Sequence, residues 1–240
     1  MTEVNYLESL NPLQYESVCS TEGPNLIIAG AGTGKTKVLT TRVAHIIDNN
    51  LAFPSQILCV TFTNKAAREM SERVQKLVSQ NMEKMPWMGT FHSIGAKIIR
   101  NHAEVIGLKQ SFTILDKDDQ LSLIKQIIKA ENLDQSQFSP KLIQSKIDHW
   151  KNKALNPNDI KSESLDNLVD EKSLSIYKIY QARLFEINCL DFGDLLLQCI
   201  NLFKVPDIHK RYSNNFKYIH VDEYQDTNAA QYKWLKLLGS

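Results

Sequence analysis

Ala29 to Thr36 read AGAGTGKT, and glycines, a lysine and a hydroxyl at this spacing can hold a chain of phosphates. Backbone N–H groups must curl around phosphate oxygens here, where a Cβ would clash, so Gly30, Gly32 and Gly34 supply the bends around Ala31 and Thr33. Lys35 can then reach the β- and γ-phosphates, and the Thr36 hydroxyl can ligate Mg2+. The strict pattern opens on glycine, and Ala29 stands there instead. A second chemical group lies near the other end of the chain, where Asp222-Glu223-Tyr224-Gln225-Asp226 follow an apolar run. Asp222 is placed to hold Mg2+, and Glu223 to orient and deprotonate an attacking water. Alone, such an acidic pair is more often a solvated turn; with a P-loop upstream it points to ATP and Mg2+ as cofactors.

The elements that must carry these groups can be read from hydrophobic spacing. Asn25 to Ala29 (NLIIA) predicts a short strand feeding the glycine loop, and Leu39, Val43, Ile46 and Ile47 predict a helix after it. Ile57 to Phe62 (ILCVTF) is apolar on both faces, as a buried parallel strand is. A helix follows with Ala66, Met70, Val74, Leu77 and Val78 on one face. Trp87 to Thr90 is a short strand candidate leading into the helix of Ile94, Ile98 and Ile99. Tyr218 to Val221 (YIHV) is the strand that delivers Asp222. Strands alternating with helices imply an α/β fold with a parallel, doubly wound sheet and helices on both faces. In such sheets ligands sit at the carboxyl ends of the strands.

Between 108 and 187 only helical periodicity is visible. Leu121, Ile124, Ile127 and Ile128 mark one helix, Leu142 and Ile143 another after Pro140, and a third spans Ser173 to Phe185. Asn156 to Asp170 has the composition of a loop. The pattern predicts an all-α subdomain inserted into the α/β domain.

AGAGTGKT, VTFTNKAAREMSERV, GTFHS, LDFGDLL and VDEYQDTNAAQ occur in that order, after LNPLQ. With these motifs the chain resembles the N-terminal part of a superfamily 1 DNA helicase of the UvrD/Rep/PcrA group, over essentially its whole length. The resemblance implies a P-loop RecA-like domain, 1A, at residues 1–107 and 188–240, with a helical domain, 1B, at 108–187. It also implies a 3′-to-5′ helicase acting on single-stranded DNA and on the junction with duplex, in repair or replication. It assigns Gln14 to the adenine edge and Gln225 to coupling between the ATP site and DNA or a second motor domain. Lys37 stands where the family often has arginine near the nucleotide. Phe62, Thr63 and Asn64 match a single-strand contact, as do Thr90 and His92, and Phe192 would join the base-stacking surface. The plainer alternatives are a core side chain for Phe62 and Phe192 and a buried, hydrogen-bonded histidine for His92. The resemblance further implies that a second RecA-like half, which supplies arginine fingers, lies outside these residues. On that expectation the piece alone binds nucleotide weakly and hydrolyses almost none, and a silent nucleotide- and DNA-binding module is the competing class.

Composition excludes less than the motifs do. Twenty-eight Lys/Arg against 27 Asp/Glu give a net charge of +1, so any DNA groove must be a local arrangement. Cys19, Cys59, Cys189 and Cys199 form no Cys-x-x-Cys pair and read as reduced thiols. The first twelve residues lack the apolar core of a signal peptide, and no run approaches a membrane span, so a cytoplasmic protein is expected. No Asn-Lys-x-Asp guanine signature or kinase acceptor site is recognisable.

Overall fold

In the computed structural model residues 6–78, 85–161, 165 and 167–239 are described. They fall into two compact units, one of residues 6–94 with 212–226, the other of 95–211 with 227–238.

The first unit is built on a parallel sheet of three strands, β1 (Ile57–Thr61), β2 (Met88–Thr90) and, late in the chain, β5 (Tyr218–Val221). Their order is β2-β1-β5, with Thr61 opposite Thr90 and Val60 opposite Val221. The central strand β1 is buried along its whole length, as its unbroken apolar run predicts. Helices α1 (Pro12–Cys19), α2 (Lys35–Asp48) and α3 (Asn64–Leu77) belong to this unit, and α4 (Phe91–Asn101) begins in it. Val43, Ala44 and Ile46 of α2, Ile57 and Cys59 of β1 and Met70 and Val74 of α3 form one core. Trp87 packs edge-on against Tyr212 and Phe216, with centroids 5.8 and 5.4 Å away. The strand expected at Asn25 to Ala29 is not formed. A strand needs a hydrogen-bonded neighbour, and no described strand pairs with this segment. Leu26 and Ile28 are 73% and 89% exposed.

The second unit holds α5 (Lys117–Ala130), α6 (Pro140–Asn152), α7 (Leu168–Glu186), α8 (Phe192–Leu202), most of α9 (Pro206–Asn215) and α10 (Ala229–Leu238). Ile124, Ile127 and Ile128, Ile143 and Ile147, and Tyr177, Tyr180 and Leu184 interdigitate as its core, which the 3.6-residue spacing anticipates. The stretch expected to be wholly helical contains a strand. β3 (Thr113–Leu115) pairs in parallel with β4 (Cys189–Asp191), Leu115 opposite Asp191. Three residues are too few to announce a period of two. Of the loop expected at 156–170, residues 162–164 and 166 lie outside the described residues, and α7 already starts at Leu168. No described helix is long and apolar enough to cross a membrane.

Candidate functional site

The glycine loop closes on itself. The Thr33 hydroxyl donates to the Gly30 carbonyl at 2.7 Å, and Gly32 and Gly34 take φ of 75° and 91°. Those left-handed angles cost a Cβ-bearing residue strain, which is why glycine stands there. Gly34 is the N-cap of α2, so Lys35, Thr36 and Lys37 occupy its first turn, where free N–H groups and the helix dipole favour an anion. The Lys35 ammonium donates to the carbonyls of Ala29 and Gly30 at 3.2 and 3.4 Å, folding back over the loop. Lys37 donates to the Ser9 carbonyl at 2.6 Å.

Gln14 is fixed from both ends. Pro12 and the Asn11–Gln14 capping box start α1, with the Gln14 Oε1 accepting the Asn11 N–H at 3.1 Å. Its Nε2 donates to the Thr33 carbonyl at 3.0 Å, so this carboxamide steadies the glycine loop. One N–H and one lone pair remain on it, the complement that an adenine edge requires.

Asp222 extends the β5–β1 ladder by one bond, its N–H donating to the Val60 carbonyl at 3.0 Å. Its carboxyl is buried, and burial followed by the neighbouring Glu223 charge raises its pKa above the usual carboxylate range. Lys35 is near enough to pull the other way, so the glycine loop and the acidic strand end are brought together. Glu223 adopts φ of 50°, a sparsely populated angle for a residue with a Cβ. The Gln225 side-chain amide donates to its carboxylate.

Register places the other candidates beside one another. Phe62 to Asn64 follow β1 and Phe91 to His92 follow β2, and the Phe62 and Phe91 rings meet at 5.5 Å between centroids. Phe91 is buried, Phe62 half-buried, and Thr63 and Asn64 are exposed. Both threonines are helix caps: Thr63 Oγ1 accepts the Ala66 N–H at 3.1 Å, and Thr90 Oγ1 the Ser93 N–H at 3.1 Å. Ser93, not singled out in the sequence, returns its hydroxyl to the Thr90 carbonyl at 3.0 Å and completes that turn. His92 is half-buried, and burial lowers its pKa. Phe192, in the second unit, is the first residue of α8 and is 52% exposed, so it is not a core side chain.

Lys35 and the Asp222 carboxyl thus lie near one another at the carboxyl end of β5, with an aromatic pair at the ends of β1 and β2. The fold is a mixed α/β one, and the carboxyl ends of a parallel sheet are where such folds place their ligand sites. Residues 10–240 match the family model of the UvrD/REP helicase N-terminal domain, and the chain belongs to that family. It is 48% identical over 235 residues to the ATP-dependent DNA helicase PcrA of Staphylococcus aureus, covering 98% of this chain and 32% of that relative. It is 46% identical over 235 residues to the PcrA helicase of Staphylococcus epidermidis, with the same coverage. The chain therefore spans about a third of the length of these relatives.

Proposed function

We propose that this chain is the ATP-, Mg2+- and DNA-binding part of an ATP-dependent DNA helicase that moves 3′ to 5′ along single-stranded DNA. The observation that carries the proposal is the convergence of Lys35 and Asp222 at the carboxyl end of β5. Two relatives named as ATP-dependent DNA helicases agree with it. In this reading the loop 29–36 is a P-loop on a RecA-like domain, 1–107 and 188–240, interrupted by a helical insertion at 108–187. Lys35 neutralises the β- and γ-phosphates, and the Gly34-capped start of α2 supplies N–H donors. Thr36 and Asp222 are hard oxygen donors of the kind Mg2+ takes, and bound Mg2+ would offset charge on the phosphates. Asp222 helps to hold the metal, Glu223 orients and deprotonates water, and Gln225, bonded to Glu223, relays the state of the site. Phe62 and Phe192 stack on bases, while Thr63, Asn64, Thr90 and His92 face phosphates or sugars. The partners are single-stranded DNA, its junction with duplex, and a second RecA-like half of the same protein.

One observation favours the competing reading, a nucleotide- and DNA-binding module that does not turn over. Residues 25–29 are unpaired with any described strand, so no described strand braces the segment leading into the glycine loop. A loop held by α1 and α2 but by no described strand before it is expected to bind weakly and hydrolyse little.

The test is a titration of a fluorescent ATP analogue with Mg2+ into the chain and its Lys35→Ala variant, with and without oligodeoxythymidine. Saturable binding that weakens at least tenfold in Lys35→Ala and shifts with DNA is the expected result. Equal binding by both proteins would refute the phosphate role of the loop. Binding indifferent to DNA would leave the ATP site and remove the coupling.

A further inference from the structure

The second unit buries an ion cluster that phosphate chemistry has no use for. The Lys151 side chain, on α6, has 0% exposure, and its ammonium lies 2.6 Å from Asp191 Oδ2 and 2.9 Å from Asp194 Oδ1. Tyr180 donates its hydroxyl to the same Asp191 oxygen at 2.9 Å, and Gln181 donates to Asp194 Oδ1 at 3.0 Å. The other two oxygens close a reciprocal box: Asp191 Oδ1 accepts the Asp194 N–H at 2.9 Å, and Asp194 Oδ2 the Asp191 N–H at 3.2 Å. Every carboxylate oxygen of the pair is therefore engaged. Burial works against the Lys151 charge, yet the two aspartates outweigh it and raise its pKa.

A helix start needs none of this. One solvated aspartate at the N-cap satisfies the first N–H groups, whereas three buried charges carry a desolvation cost that only good geometry repays. What the cluster does achieve is to fix residues 191–194 from two sides, and Phe192 lies inside that span. The first turn of α8 also rests on the lysine stem. A Cβ built on Gly193 would come 2.8 Å from Lys151 Cδ and 3.0 Å from its Cβ. Phe192 thus sits, half-exposed, in a turn whose flanking residues 191 and 194 are both held by buried contacts.

We propose that Lys151, with Asp191 and Asp194, is a positioning residue that holds Phe192 ready to stack on a base of single-stranded DNA. The inference rests on the DNA-binding role given to Phe192 above. A ring ordered before binding does not have to be ordered by the ligand, and preorganisation of this kind raises affinity without a new contact.

The experiment measures the affinity of oligodeoxythymidine carrying one 2-aminopurine, by anisotropy and by stacking-induced quenching. Five forms are compared: the 240-residue chain, Phe192→Ala, Gly193→Ala, the double variant of these two, and Lys151→Met. Phe192→Ala is expected to lose about 5- to 150-fold in affinity, the range of one base–aromatic stack. Gly193→Ala keeps all three charges but displaces the turn, and it should lose both affinity and quenching. In the Phe192→Ala background it should cost nothing further, because its effect runs through the ring. Lys151→Met is expected to behave like Gly193→Ala; if circular dichroism finds it unfolded, Gly193→Ala decides alone. A loss that is the same with and without Phe192, or full affinity and quenching in Gly193→Ala, overturns the positioning role. Unchanged affinity in Phe192→Ala itself is distinct: it removes the stacking reading, and the inference with it.

Discussion

At Asp222 two opposing influences set when the carboxylate exists. Burial and the adjacent Glu223 charge raise its pKa, while a backbone N–H and Lys35 lower it, and the first pair wins. A metal ligand must be ionised, so Mg2+-nucleotide binding should weaken on acidification at a pH above the ordinary carboxylate range. Glu223→Gln removes the like charge, lowers the Asp222 pKa and moves that midpoint to lower pH. Comparing both proteins with one nucleotide cancels the titration of the nucleotide itself. Coincident midpoints would mean that Asp222 is not a ligand. The residues of the proposed phosphate site stand out in the sequence because phosphate chemistry demands a fixed order of glycine, lysine and hydroxyl. The supporting contacts were not. Gln14 reaches Thr33 across 19 residues and Lys151 reaches Asp191 across 40, and no local pattern encodes such pairs. The Asp-x-x-Asp spacing of 191 and 194 announces a capping box, but not the lysine behind it.

The elements were legible wherever packing is local. The predicted helices after the glycine loop and after β1, and the strands β1 and β5, stand where the periodicity places them. Two of the misses, residues 25–29 and β3, are cases where a partner decides. Apolar, β-prone residues without a described neighbour stay unpaired, and three unremarkable residues pair because Cys189–Asp191 lies beside them. β5 carries a consequence of its own in His220. The ring is buried, its Nε2 has no partner among the described residues, and burial with the Arg42 charge pushes its pKa down to about 3. Unfolded, the imidazole takes a proton near its ordinary pKa of about 6.5. The folded state therefore keeps its full stability above that value and loses it as pH falls toward 3. Between pH 7 and 5 the loss is about 2 kcal/mol. His220→Leu should flatten the decline of urea midpoint over that interval. Burial lowers the pKa of His45 and His92 too, so a residual slope is expected. Identical slopes in both proteins would show that His220 is protonated in the fold.

At the scale of the whole molecule the charge balance constrains how DNA can be held. The chain carries +1 overall, and the six candidate contacts, Phe62, Thr63, Asn64, Thr90, His92 and Phe192, include no lysine or arginine. Burial also keeps His92 toward its neutral form. Phosphate neutralisation is what makes affinity for nucleic acid fall with salt, at about 0.7 per neutralised phosphate on single strands. Stacking and neutral hydrogen bonds contribute little to that slope. If these six residues make the surface, and cations beside them neutralise about two phosphates, the slope is about 1.4. Affinity for oligodeoxythymidine should then fall only about sevenfold between 50 and 200 mM salt. Phe192→Ala should lower affinity at both salts while leaving the slope unchanged, since it removes a ring and no charge. A hundredfold fall would mean that ammonium groups elsewhere hold the backbone. Lys117 and Lys141, which line one hollow with Gln144, Ser145 and His149, would then be the first to replace. The salt dependence thus separates a surface that grips bases from one that grips phosphates, a distinction that net charge cannot make.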